Sequence, residues 1–163
     1  MKQFDKFCAI MAKLRAPDGC PWDREQTHES LKAGCVEEAA EVVCAVNILS
    51  ETGNADNLKE ELGDLLMQVV MQAQLAAEEG LFTMEDVIEG ISEKMIRRHP
   101  HVFGGEQLPT SGEVLVRWEE IKKQEKQGKE WMNSYLPAAF DESDRLIQAA
   151  RERKGFYAKR EDK

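Results

Sequence analysis

The stretch Glu37-Glu38-Ala39-Ala40-Glu41, with Glu61-Leu62-Gly63-Asp64 soon after it, decides the fold and the chemistry of this chain. Residues three or four apart share one face of a helix, so the acids within each stretch point the same way. The breaker sequence Ser50-Glu51-Thr52-Gly53-Asn54 separates the stretches and predicts an antiparallel helical hairpin. The carboxylates expected to converge are those of Glu38, Glu41, Glu61 and Asp64.

Both acidic stretches are embedded in apolar sequence, which predicts that their carboxylates are partly buried. Like charges held a few Å apart in such a place repel one another and resist ionisation. Mg²⁺ removes this conflict because it takes oxygen ligands and keeps some waters, and Mn²⁺ can replace it. Small neighbours on the same stripe, Gly34 and Ala45, suggest room for an ion and its waters.

The alternative is that these acids are solvated charges on exposed helix faces, as most glutamate runs are. A single acidic pair would favour that interpretation. Two pairs on consecutive helices, each surrounded by valines and leucines, favour a metal site instead.

Composition limits the classes of function. A chain of 163 residues suits one domain with a sizeable core, and its 31 acidic residues outnumber 22 basic ones. This charge balance disfavours a nucleic-acid binder or an anionic-membrane binder. The amino terminus has no apolar signal region, and no apolar run approaches transmembrane length, so we expect a cytoplasmic protein.

Apolar periodicity and capping residues predict an all-α fold with no strand. Residues 4–14 read as a first helix. Thr27 or Ser30 is expected to cap the second helix, which carries the first acidic stretch to about Leu49. Asn57 with Glu60 forms a candidate capping box for the third helix, which carries the second stretch.

Capping boxes also predict the start of two later helices. Thr83 with Asp86 begins a helix that ends near Arg98, and Thr110 with Glu113 begins one that ends near Lys126. A last amphipathic helix follows Pro137, and the final residues, 159–163, are expected to fray.

The third predicted helix is apolar around most of its circumference. A polar line along it contains acids and amides, and leucines, valines and alanines fill the rest. Such a helix must be buried on more than one side, and this short chain has few helices to cover it. A second copy of the chain is the expected cover, which predicts a homodimer or a higher homo-oligomer.

Candidate ligand-binding residues lie outside the acidic stretches. Lys94, Arg97 and Arg98 cluster at the end of one predicted helix, where they either snorkel at a favourable helix terminus or clamp phosphate. Three cations together favour the clamp. Trp22, in a proline-rich and glycine-rich loop, either plugs the core or contacts a ligand through its ring.

These motifs resemble those of the MazG nucleoside triphosphate pyrophosphohydrolases. The two acidic stretches resemble the EExxE and ExxD motifs of that family. Gly19-Cys20-Pro21-Trp22-Asp23 and Arg97-Arg98-His99-Pro100-His101-Val102-Phe103 resemble the amino-terminal repeat of its two-repeat members. The resemblance covers about residues 4–104.

The resemblance implies an all-α protein whose helical hairpins form a four-helix bundle completed by dimerisation. It implies Mg²⁺-dependent cleavage of nucleoside triphosphates to monophosphate and pyrophosphate, as a means of cleaning the nucleotide pool. The metal ligands would fall on Glu38, Glu41, Glu61 and Asp64. Glu37 would be a supporting carboxylate or, with Glu38, would orient the water. The family's triphosphate-binding cations would fall on Lys94 and Arg98. Arg97 and Trp22 are added as candidate substrate-binding residues from the sequence patterns described above.

Asn57 stands where some members of the family have a lysine. Residues 1–108 would form the MazG-type domain, and residues 109–163 would be a helical extension that resembles the lead-in to a second repeat. With no second EExxE in these 163 residues, the sequence resembles a one-repeat form, or a relic or fragment of a two-repeat one. In some two-repeat members the amino-terminal repeat is the weaker enzyme, so a catalytically weak regulatory or scaffold protein is one alternative. A narrower dUTP or dCTP pyrophosphatase is another. A di-iron carboxylate bundle is disfavoured because no histidine sits three residues after any of these acids.

Overall fold

The computed structural model describes residues 2–156 of the chain and contains no strand in that range. The all-α prediction is confirmed. The helices are α1 (Lys2–Arg15), α2 (Pro21–Glu25), α3 (Lys32–Thr52), α4 (Asp56–Glu78), α5 (Met84–Arg98), α6 (Pro100–Phe103), α7 (Ser111–Glu125) and α8 (Leu136–Arg153), with a 3₁₀ turn over Glu130–Ser134.

The helices form two compact units. One contains residues 2–82 together with 140–156, and the other contains residues 83–139. The boundary predicted near residue 108 separates the MazG-type segment from the extension that resembles the lead-in to a second repeat. It stays a prediction. No helix within residues 2–156 is long and apolar enough to cross a membrane, and the cytoplasmic location stays a prediction. The tail at 159–163 lies outside the described residues.

The predicted hairpin is the centre of the first unit, where α3 and α4 pack against each other more extensively than any other two helices. Gly53 ends α3 in the left-handed conformation, with φ 74°, and its amide donates to the Leu49 carbonyl at 2.9 Å. Glycine is the residue that adopts this conformation without steric cost. The chain can therefore reverse within three residues and bring the two acidic stretches together.

Two of the four predicted caps are wrong. Thr27 and Ser30 bond each other's backbone amides in a turn before α3, whose first helical residue follows Leu31 without a side-chain cap. Asn57 lies inside α4, and its side chain donates to Glu61 instead of capping. The capping boxes at Thr83 and Thr110 are confirmed.

Arg15 ties the amino-terminal segment to the end of α4. Its guanidinium donates to both carboxylate oxygens of Glu78 and to the carbonyls of Asp23 and Gln26. This arrangement fixes α2, which the sequence interpretation treated as loop. Trp22 on α2 is 67% exposed and does not plug the core of this unit.

The core of the first unit lies along the carboxyl-terminal half of α4. Its buried residues include Val70, Met71, Ala73, Leu75 and Ala76, with Met11 from α1 and Ala45 from α3. Towards its amino-terminal half, α4 exposes the apolar stripe Leu62, Leu66 and Val69, spaced as one helical face. The apolar circumference predicted for this helix is therefore only partly covered within the unit.

In the second unit, α5 packs against α6 and α7. Ile121 is its buried apolar residue. Glu125 at the end of α7 accepts hydrogen bonds from Arg97 and Arg98, both at the end of α5. The Arg98 guanidinium also lies 5.1 Å from the centre of the Trp118 ring. These contacts hold the two helix ends together.

Candidate metal centre and its basic flank

Three of the four predicted metal ligands converge in the first unit. Glu38 on α3 and Glu61 and Asp64 on α4 each offer a carboxylate oxygen, and these oxygens lie within 4.8 Å of one another. The convergence follows from the sequence, because Glu61 and Asp64 share one face of α4 and the tight turn at Gly53 brings that face to α3. We call this trio the acidic cluster.

The acidic cluster is electrostatically crowded. Burial, followed by the charges of Asp64, Glu61 and Glu37, raises the pKa of Glu38 above its ordinary value, while Lys154 works in the opposite direction. The folded chain thus bears an unfavourable concentration of negative charge. A bound divalent cation would relieve it.

The donor set fits a hard divalent cation. All three groups present oxygen, the ligand atom that Mg²⁺ and Mn²⁺ prefer, and a set of three carboxylates leaves coordination positions for water or substrate. Glu61 is also oriented, since its Oε1 accepts a hydrogen bond of 2.8 Å from the Asn57 amide. Metal-bound carboxylates commonly have such supporting partners.

One expectation about space is wrong. Gly34 does not leave room for an ion, because a Cβ placed there would meet the Gln68 side-chain amide at 2.8 Å. Gln68 is 7% exposed, and Ala45 is fully buried. The small residues Gly34 and Ala45 on α3 therefore serve close helix packing. On α4, Gln68 belongs to the predicted polar line and has a structural role.

Glu37 and Glu41 are in a different environment from the acidic cluster. Lys154, just beyond α8, forms ion pairs with both, at 3.1 Å from Glu37 Oε1 and in direct contact with Glu41 Oε1. Arg153 at the end of α8 pairs with Glu37 as well. Glu41, although predicted as a metal ligand, thus does not belong to the trio of converging carboxylates.

A cavity of about 440 Å³ lies between α3, α4 and the end of α8, all within the first unit. Its acidic lining residues are Glu37, Glu41 and Glu61, and its basic ones are Arg151 and Lys154. The other lining residues are Asn57 and the apolar or small Ala40, Cys44, Ile147, Ala150 and Phe156. The volume falls within the range of about 300–1,000 Å³ that is typical of small-molecule sites.

The remaining predicted substrate-binding residues have varied environments. Arg97 and Arg98 lie in the second unit and are paired with Glu125, whereas Lys94 has no ion pair with any residue between 2 and 156. Trp22 lies in the first unit, and its ring is exposed and could contact a ligand.

Sequence reasoning missed the basic flank of the site, namely Arg151, Arg153 and Lys154. The positive residues at the end of α8 are an ordinary feature of a helix carboxyl terminus, where they complement the helix dipole. Nothing local to that sequence indicates that the helix packs beside acids more than a hundred residues earlier. The only sequence signal for this packing is that the end of α8 is basic and the first acidic stretch carries the opposite charge.

Comparison with known proteins agrees with the geometry of the hairpin. Residues 26–103 match the model of the MazG nucleotide pyrophosphohydrolase domain. The chain is 53% identical to the nucleoside triphosphate pyrophosphohydrolase/pyrophosphatase MazG of Thermotoga maritima, over 76% of this chain and 45% of that protein. It is 47% identical to the nucleoside triphosphate pyrophosphohydrolase of Escherichia coli K12, over 77% of this chain and 47% of that protein.

A further relative is the uncharacterized protein YabN of Bacillus subtilis, 49% identical over 76% of this chain and 24% of that protein. The chain spans less than half the length of each of these three relatives. The matched segment 26–103 contains both acidic stretches and the turn between them, and α8 lies outside it. Through that segment, this chain contains a MazG nucleotide pyrophosphohydrolase domain.

Proposed function

We propose that this chain hydrolyses nucleoside triphosphates to the monophosphate and pyrophosphate, with Mg²⁺ as the cofactor and Mn²⁺ as a possible substitute. The observation that supports this proposal most directly is the convergence of Glu38, Glu61 and Asp64 in a MazG-type hairpin. Relatives named for this reaction share 43–53% identity with the chain. The reaction would remove unwanted nucleotides from the pool.

The acidic cluster would hold the metal ion, and Glu41 would join it after exchanging its partner Lys154. When bound, the ion would neutralise phosphate charge and make water more acidic. The chain's own contribution is to fix the ligands, which the hydrogen bond from Asn57 does for Glu61. Burial of Glu38 strengthens its attraction for a cation, since the partly buried site screens charge less than water does.

Glu37 or Glu38 would orient the attacking water. Glu37 has its carboxylate bound by Arg153 and Lys154, which fixes it in position. In the metal-free chain the pKa of Glu38 is raised by burial and by its acidic neighbours. A cation bound to Glu38 would lower that pKa again, so the assignment of the water remains with either Glu37 or Glu38.

Lys94, Arg98, Arg97 and Trp22 remain proposed substrate contacts. Lys94 is available for phosphate without breaking an ion pair that the structure describes. Arg97 and Arg98 would have to exchange Glu125 for phosphate, and bidentate guanidinium–phosphate contacts make such an exchange feasible. Trp22 would contact the base or sugar through its exposed ring.

A homodimer or higher homo-oligomer is part of the same proposal. Leu62, Leu66 and Val69 form an apolar stripe on α4, with exposures of 50%, 39% and 41%. Val43 on α3 adds a fourth apolar side chain at 62% exposure.

We expect Leu66→Glu to dissociate the oligomer, because a charge cannot be buried unpaired in an apolar interface. Sedimentation velocity at micromolar concentration measures this, and a monomeric parent would contradict the proposal.

The decisive experiment is pyrophosphate release from a panel of canonical and damaged ribonucleoside and deoxyribonucleoside triphosphates in the presence of Mg²⁺. Asp64→Asn is the test variant, and Glu60→Gln is the matched control. Glu60 is an exposed acid on the same helix and lies outside the acidic cluster. Activity in the parent and in Glu60→Gln, with loss in Asp64→Asn, is the expected result.

The alternative of a weak or idle scaffold has one observation in its favour. Arg153 and Lys154 already neutralise Glu37 and Glu41, so a folded protein could persist without a metal at these two acids. Parent protein that releases no pyrophosphate from any member of the panel would favour this alternative. Activity restricted to dUTP or dCTP would instead favour the narrower enzyme.

A further inference from the structure

The end of α8 forms part of a cavity next to the acidic cluster, although α8 lies outside the segment that matches the family model. Arg151 lies in the last turn of α8, and Lys154 follows directly. Both side chains line the cavity together with Glu37, Glu41 and Glu61. The cavity therefore contains both negative and positive groups.

The two cations differ in what already binds them. Lys154 is paired with Glu37 and Glu41, whereas Arg151 forms no ion pair with any residue between 2 and 156. An arginine that lines a cavity without an ionic partner has its donors available for a ligand. A guanidinium prefers planar or tetrahedral oxyanions, for which it supplies two parallel hydrogen bonds.

Apolar and small groups complete the lining of the cavity. Ile147 and Ala150 come from α8, and Ala40 and Cys44 from α3. Phe156, which is 71% exposed, adds an aromatic ring. A ligand that suits all of these walls combines an anionic chain, a divalent cation and a flat, largely apolar group.

We propose that the carboxyl-terminal end of α8 is the phosphate-facing wall of the nucleotide pocket, in which Arg151 and Lys154 bind the triphosphate and Phe156 contacts the base. This assignment rests on the proposed function and extends it to a helix that the family match does not include. A triphosphate bound with its cation supplies negative charge to the basic groups of the cavity and positive charge to its acidic groups. The ion pairs between Lys154 and the carboxylates are then replaced by contacts of the ammonium with phosphate and of the carboxylates with the cation.

The test measures binding, not turnover, on the full chain. Isothermal titration calorimetry would use inorganic tripolyphosphate and the α,β-methylene analogues of the common ribonucleoside and deoxyribonucleoside triphosphates, each with Mg²⁺. The variants are Arg151→Gln and Lys154→Met. Arg145→Gln is the matched control, because Arg145 is an exposed arginine on the same helix and does not line the cavity.

We expect each test variant to weaken binding of tripolyphosphate and of the best-bound analogue by about tenfold, the value of one charge-assisted contact. Arg145→Gln, with the same change in net charge, is expected to shift affinity less than about twofold. Mg²⁺ titrated alone should bind Lys154→Met as well as, or better than, the parent, since one cation no longer competes for Glu41. Circular dichroism checks that α8 is retained.

Two results would overturn the inference while leaving the proposed function intact. The first is a parent that binds and hydrolyses nucleotides and whose affinity is unchanged by Arg151→Gln and Lys154→Met. The second is a Lys154→Met variant with tighter Mg²⁺ binding and unchanged nucleotide affinity. That result would mean that the end of α8 blocks the carboxylates and does not bind nucleotide. A parent that binds none of the nucleotide probes would overturn the proposed function as well.

Discussion

Neighbouring glutamates on α3 have opposite electrostatic environments. Glu38 faces Glu61 and Asp64, and the pKa of Glu38 is raised by burial and by this repulsion. Glu37 and Glu41 are instead neutralised by Arg153 and Lys154. All three residues are glutamates on one helix, so residue type and helix propensity do not distinguish Glu38 from Glu37 and Glu41. The difference comes from the element packed against each face of α3. That element is α4 for Glu38 and the end of α8 for Glu37 and Glu41.

In our proposal, this difference separates the acids that would bind an added cation from those that are paired within the fold. Structural acids acquire a partner within the fold, as Glu78 does from Arg15 and Glu125 from Arg97 and Arg98. Among residues 2–156 the acidic cluster has no such partner, although Lys154 is close enough to influence it. Partly buried like charges without a partner are an expected feature of functional sites.

The largest expected effect comes from neutralising one member of the acidic cluster. Asp64→Asn keeps the shape of the side chain and removes part of the attraction for the metal. We expect a loss of pyrophosphohydrolase activity of about 100-fold or more, together with loss of Mg²⁺-dependent thermal stabilisation. Glu41→Gln should weaken both properties less, because Glu41 lies outside the trio.

The measurements are initial rates and melting curves with and without Mg²⁺. Equal losses in Asp64→Asn and Glu41→Gln would show that the two environments merge once the metal is bound. An Asp64→Asn variant that keeps its Mg²⁺ stabilisation would mean that Asp64 holds structure and not an ion.

A second comparison concerns the basic residues of α5. We expect Lys94→Ala to raise the Michaelis constant about tenfold with little loss of stability, because Lys94 gives up no ion pair that the structure describes. Arg98→Ala should raise the Michaelis constant and also lower the melting temperature, since Glu125 loses one of its two arginine partners and Trp118 loses its cation contact. Steady-state kinetics and melting curves measure both, and unchanged Michaelis constants would remove these residues from the site.

Much of this arrangement could be predicted from the sequence. The spacing of Glu38, Glu61 and Asp64 on amphipathic helices, with the turn at Gly53 between them, was enough to bring three carboxylates together because helix periodicity and a tight turn are local properties. The caps at Thr83 and Thr110 are local in the same sense. Their side chains bond amides only three residues away.

The remainder depends on contacts between distant segments. The partner of Glu41 is Lys154, which follows it by more than a hundred residues, and no local pattern specifies that pairing. Gly34 looked like space for an ion, but the Gln68 side chain from the next helix fills it. Asn57 resembled a cap and instead orients Glu61. In each case tertiary packing decided between two roles that the residue type allows.

A smaller effect is expected on the stability of the metal-free protein. Glu38→Gln removes one of the repelling charges and should raise the melting temperature in the presence of EDTA by about 2–4 °C, equivalent to about 1 kcal/mol. Glu41→Gln should leave it unchanged or lower it, because the charge removed is one that Lys154 neutralises. Differential scanning calorimetry on both variants decides the point. A lower melting temperature for Glu38→Gln would contradict the repulsion argument.

The smallest expected effect is a contrast in pH dependence between Glu38 and Glu78. The pKa of Glu38 is raised above the ordinary value of 4.5, mainly by burial, so the folded chain binds more protons than the unfolded chain in a window just above that value. The free energy of unfolding therefore increases as the pH falls through this window. The pKa of Glu78 is lowered, mainly by its hydrogen bond from Arg15, so its contribution is present above 4.5 and is lost as the pH falls below that value.

Glu38→Gln and Glu78→Gln, measured by urea unfolding in EDTA on either side of pH 4.5, should therefore differ from the parent in opposite directions. The stabilising effect of Glu38→Gln should shrink on acidification, because the parent then protonates the same carboxyl. The destabilising effect of Glu78→Gln should shrink likewise, because the parent loses its ion pair. The change in each difference across pH 4.5 should amount to a few tenths of a kcal/mol, since both carboxyls are partly solvated. Differences of the same sign at neutral pH would mean that Glu38, like Glu78, has a cationic partner in the fold and that the acidic cluster needs no external ion.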